Sequence, residues 1–141
     1  MIRRRISVLF VLTAFLFSTA SPFALRATNA AQHGFSFKEY EKFHDVLHPL
    51  EHDALPKKNY RRIRSQATLL VKRGNEIVKL GVPNGTSEDK KEEFAKELDS
   101  FRQALAKFKK DARIGTNSQL KASYSAVHDK FEMLAGRLPR S

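Results

Sequence analysis

"FAKELDSFRQALAKF", residues 94–108, decides how the chain is read. Phe94, Leu98, Phe101, Leu105 and Phe108 recur at alternating steps of four and three. At 3.6 residues per turn, that spacing places all five rings and leucines on one stripe of a helix, with Lys, Glu, Asp and Arg on the other faces. The same step returns downstream in Leu120, Tyr124, Val127, Phe131, Leu134 and Leu138. Upstream it appears in Ile63, Ala67, Leu70, Gly74 and Ile77, and in Tyr40, Phe43, Leu47, Leu50 and Ala54. No stretch alternates apolar and polar residues in the manner of a strand. The expectation is all-α: four helices near 36–54, 59–80, 87–112 and 118–137, joined by short connections. Short connections make sequential helices antiparallel neighbours, which predicts an up-down-up-down four-helix bundle.

Local signals mark the ends. Ser36 followed by Glu39 has the form of a capping box for the first helix. Pro56 and Asn59 separate the first helix from the second. "GVPNGTS" (81–87) is a turn-rich loop whose Ser87, Glu88 and Asp89 suit a helix N-terminus, and "IGTNS" (114–118) is the third break. Pro49 lies inside the first helical pattern. It withholds an N–H and crowds the carbonyl of Asp45, so a kink or the end of a straight segment is expected there.

Ahead of these helices the chain opens "MIRRRISVLFVLTAFLFSTA" (1–20), with three arginines, an apolar run and small residues. This is the layout of a secretory signal peptide. The apolar run is shorter than the roughly 20 residues a membrane span needs. Cleavage fits after Ala20 or Ala30. Ala30 is preferred, because residues 22–29 read as a continuation of the processing segment. The division is then 1–30 signal peptide and 31–141 bundle domain, periplasmic or secreted, with no stable membrane span after cleavage. Losing Arg3, Arg4, Arg5 and Arg26, and no acid, takes the formal charge from +11 to +7. The remaining basic run "PKKNYRRIR" (56–64) reads as a solvated helix start with Ile63 turned to the core. Nucleic acid is not an expected partner; a second copy of the chain or another protein remains open. The chain has no cysteine, which excludes disulfides and covalently attached haem.

Histidines are the chemical feature. Three of the five fall in "FHDVLHPLEH" (43–52), at His44, His48 and His52. On a helical wheel, His44 and Glu51 border the apolar face, His48 lies further round, and His52 further still. Imidazoles at i and i+4 can share one metal ion. His128, beside Val127 and Phe131, borders the stripe of the last helix. Helices one and four close the bundle, so His44 and His128 are expected at one level. The candidate ligands are His44, His48 and His128 for zinc or copper, with Glu51, His52 and His33 weaker. Cleavage after Ala30 would leave "AQH" as the new N-terminus. A free amine, two backbone nitrogens and the His33 ring could then hold Cu(II) or Ni(II) in a plane. No nucleophile elbow, phosphate loop or His-Glu-x-x-His run is present. Enzymatic activity is therefore not expected.

"YSAVHDKFEML" (124–134) resembles the haem-binding helix of the cytochrome c-prime proteins, in which Cys-x-x-Cys-His is followed by Asp and an aromatic residue. His128, Asp129 and Phe131 match the end of that pattern, while Tyr124 and Val127 stand where the cysteines would be. The resemblance implies an exported four-helix bundle with a cofactor-side histidine on its last helix, here without covalent haem. The alternatives are a metal-free adaptor or sensor domain and a bundle binding b-type haem non-covalently between His44 or His48 and His128.

Overall fold

Four helices form at the four apolar stripes. A computed structural model describes residues 34–139; the expected signal peptide and His33 lie outside them. Helix α1 spans Lys38–Pro49 and runs into a π-helical turn, Leu50–Ala54. Helices α2, α3 and α4 span Tyr60–Leu80, Glu88–Ile114 and Asn117–Gly136. Among the described residues there is no strand. No helix there is long and apolar enough to cross a membrane.

The helix ends show which local signals acted. Asn59 caps α2 by accepting the Arg62 N–H at 3.1 Å. At α4, Thr116 and Gln119 form a complete capping box, with Thr116 Oγ1 accepting from Gln119 N and Gln119 Oε1 from Thr116 N. The box expected at Ser36 and Glu39 does not form. The residue that caps α1 is Phe37, without a side-chain bond, while the Ser36 hydroxyl faces the Pro139 carbonyl at 3.5 Å. Phe35 and Phe37 pack against the core on either side of Ser36, and that packing sets the path of the chain there. Helix α4 also stops short of Leu138, which stays partly buried against the core from outside the helix.

Pro49 acts as expected in kind. It closes the regular helix, and Pro56 withholds a second N–H seven residues on. Between the two prolines the chain closes with an i→i−5 bond, Leu55 N to Leu50 O at 2.9 Å. Asn59 N bonds Ala54 O in the same way at 2.8 Å. A turn closed like this holds more residues than an α turn. Residues after Pro49 are therefore rotated back relative to an ideal wheel.

The stripes meet in one core. Tyr40, Phe43, Ile63, Leu70, Ile77, Phe101, Phe108, Tyr124, Val127 and Phe131 have no exposed surface. Burying a side chain of this size contributes roughly 1.5–3 kcal/mol. Phe131 is the centre of an aromatic group, with ring centroids 4.7 Å from Phe43, 5.8 Å from Phe35 and 6.0 Å from Tyr40. Helices α2 and α3 meet at Gly74, where an added Cβ would lie 2.5 Å from Leu105 Cδ1. Arg64 of α2 ties α3 to α4. Its guanidinium donates to the carbonyls of Asp111, Ala112 and Gly115 at 3.0, 2.9 and 2.8 Å, and to Asn117 Oδ1 at 3.2 Å.

Candidate functional site

The helix-one histidines stand in a row. The ring centroids of His44 and His48 are 5.2 Å apart, and those of His48 and His52 are 4.3 Å apart. His44 is half-buried, while His48 and His52 are exposed. The inner end of the row is aromatic: the His44 ring centroid is 5.4 Å from that of Phe35 and stacks on Phe131 at 6.2 Å. On an ideal wheel His52 falls 40° beyond His48, away from the apolar face. The π turn rotates it back, so its ring stands nearer His48 than His44 does.

Helix α4 runs beside this row. Phe131 stacks on His44, and the Tyr124 hydroxyl donates to the Leu47 carbonyl at 3.1 Å. Burial, and then the charge of Glu51, push the Tyr124 phenol well above its ordinary range. Glu51 therefore turns toward the α1–α4 seam. Its Oε2 is buried and lies beside the Tyr124 phenol, whose ionisation the charge and hydrogen bonding of Glu51 oppose. Lys57 pairs with Asp53 at 2.8 Å.

His128 borders the same seam one helical turn from both Tyr124 and Phe131. Its side chain is 29% exposed and its Nδ1 lies 3.4 Å from Asp129 Oδ1. Among the described residues no three His, Asp or Glu side chains are grouped closely enough to hold an ion. The structure thus brings together His44, His48 and His52, sets Glu51 and His128 at the border of the same seam, and leaves His33 undescribed.

Two contributors escaped the sequence reading. Phe35, before the helix, covers His44; its only sequence signal was an aromatic residue in the flank "FSF". Tyr124 is a stripe residue in sequence, but a buried phenol needs a polar partner, and that partner is a backbone carbonyl on α1. Phe131, Val127 and Tyr124 on the inner face of α4 are fully buried, and Phe131 stacks on His44. Comparison with family models, with curated proteins and with solved structures found no match.

Proposed function

We propose that the chain is an exported, antiparallel up-down-up-down four-helix bundle that takes up a divalent transition ion, zinc or copper, at the histidine row. The observation that supports this most is the pair of short ring separations, 5.2 and 4.3 Å, which share His48. Neutral imidazoles at this spacing are within rotamer adjustment of a common ion. The buried Glu51 oxygen at the same seam is the second support: a carboxylate drawn out of water gains from an incoming cation. His128 borders the same seam and would complete the set after a change of rotamer. The antiparallel order of α1 and α4 is supported by three crossings in reversed sequence order, Ser36 with Pro139, Phe43 with Phe131 and Leu47 with Tyr124. The resemblance to the cytochrome c-prime proteins favours kinship with that exported class, with a bare ion in place of haem.

Thermal unfolding with added zinc or copper tests the reading. At a hundredfold excess over its dissociation constant, a ligand of the native state adds about 2.7 kcal/mol. For a domain of this size that raises the midpoint by roughly 10 °C or more. His48→Ala should remove most of the rise. His44→Ala and His52→Ala should each remove part, and His128→Ala should show whether α4 supplies a ligand. An equal rise in the wild type and in His48→Ala would sink the proposal.

A further inference from the structure

Away from the histidine row, a groove of about 360 Å³ opens between α2 and α3, lined by Arg64, Ala67, Thr68, Val71, Lys72, Asn75, Lys109, Ala112 and Arg113. Its origin is a contrast in side-chain size. The two helices touch closely where Gly74 meets Leu105. Toward the C-terminal end of α3 the facing residues are Ala67 and Ala112, too small to fill the space between the backbones. Ala67 and Val71 form an apolar floor and are 6% and 7% exposed. Thr68, Lys72, Lys109 and Arg113 stand exposed above it.

The lining holds four cationic side chains and no acid. Arg64 is committed to the end of α3 by its four hydrogen bonds. Among the described residues Lys72, Lys109 and Arg113 form no ion pair. The neighbouring carboxylates are engaged elsewhere, Glu76 with Arg73 at 3.0 Å and Asp111 with Lys107 at 2.7 Å. An apolar floor below a cationic rim selects a ligand with an apolar body and one anionic head. The volume falls in the roughly 300–1,000 Å³ range of small-molecule sites. We propose that this groove binds a single amphiphilic anion, an alkyl or aryl carboxylate, with its body on Ala67, Val71 and Ala112 and its head among Lys72, Lys109 and Arg113. The recess is concave and sized for one molecule, which favours a free ligand over a membrane surface. This site is independent of the proposed metal.

The test is a titration of the full chain with decanoate, followed by backbone amide chemical shifts. Saturable shifts should centre on residues 67–72 and 109–113. Decanol, which lacks the charge, and acetate, which lacks the body, should each bind about tenfold more weakly or worse. Lys109→Gln combined with Arg113→Gln should weaken decanoate about tenfold, the loss of one charge-assisted contact. Thr68→Trp, which fills the groove and leaves the charges, should abolish the shifts. Equal binding of decanol, shifts centred elsewhere, or undiminished binding by Thr68→Trp would each overturn the proposal.

Discussion

Arg64 shows how much one side chain can do in a bundle of short connections. The C-terminal end of α3 leaves carbonyls that no residue of that helix can satisfy. A guanidinium presents several donors in a rigid fork, so one Arg on α2 serves the open carbonyls of Ala112 and Gly115, adds a second donor to that of Asp111, which Gly115 N already engages, and reaches Asn117 at the start of α4. Its positive charge also faces the negative end of the α3 dipole. Lysine cannot fork in this way. Arg64→Lys is expected to cost about 2 kcal/mol, lowering the midpoint of thermal unfolding by roughly 10 °C. Arg61→Lys, three residues away and exposed, should change it by under about 0.5 kcal/mol. Similar shifts in the two variants would mean that the fork contributes nothing. In the sequence, Arg61, Arg62 and Arg64 look alike. What separates them is that residue 64 lies at the α2 position facing α3.

At the scale of elements, Gly74 sets how closely α2 and α3 approach. Glycine in a helix interior costs about 1 kcal/mol relative to alanine, so its presence at mid-helix calls for a packing reason. That reason is Leu105, 1% exposed, whose Cδ1 occupies the place a Cβ would take. Gly74→Ala gains the propensity but overpacks a well-filled contact, which costs about 1–3 kcal/mol. The net expectation is a loss of about 1 kcal/mol. The pair should also couple. Leu105→Ala alone leaves a cavity costing about 2–5 kcal/mol, and alanine at position 74 should fill part of it. Urea unfolding of the two single variants and the double variant measures this, and a double variant destabilised by the plain sum would refute the contact. The apolar stripe puts Gly74 on the buried face of α2. It does not name the leucine that makes glycine necessary.

At the scale of the molecule, stability should depend on acid more than on base. Asp53, Glu76, Asp99 and Asp111 are all held below the usual carboxylate range, chiefly by hydrogen bonds from Lys57, Arg73, Arg102 and Lys107 respectively. A carboxylate with a depressed native pKa contributes stability that is present above its unfolded value, near 4, and is lost as pH falls through the native value. The urea midpoint should therefore change little between pH 7 and 5 on account of these groups and fall below about pH 4. Asp111 differs from the rest because its side chain is 7% exposed, where solvent screens least. Asp111→Asn should make the acid loss shallower, and an unchanged acid limb would exclude Asp111 from it. Charge is also unevenly placed along α3. Acids gather in its first half, from Glu88 to Asp99, and Lys107, Lys109, Lys110 and Arg113 in its second. That order suits the helix dipole and leaves the cationic rim beside the α2–α3 groove.

What the sequence determined by itself was whatever depends on residues within a few turns of one another. Alternating three- and four-residue steps located four helices and their buried faces, since helical period and apolar burial are local properties. Asn59, the acidic start of α3 and the breaking effect of Pro49 were legible for the same reason. The complete box at Thr116 and Gln119 is equally local, a Thr-x-x-Gln pattern that begins two residues ahead of the expected helix start at residue 118. Other features depended on residues that meet only after folding. Tyr124 reaches the Leu47 carbonyl 77 residues away, and Ser36 faces Pro139 across 103. No local pattern could show that Phe131 would stack on His44, or that Glu51 would turn into the seam beside Tyr124. Nor could an ideal wheel place His52, because the π turn after Pro49 shifts the phase of every residue beyond it. The tertiary structure decided those contacts because each depends on which helix edges are pressed together, and at what level.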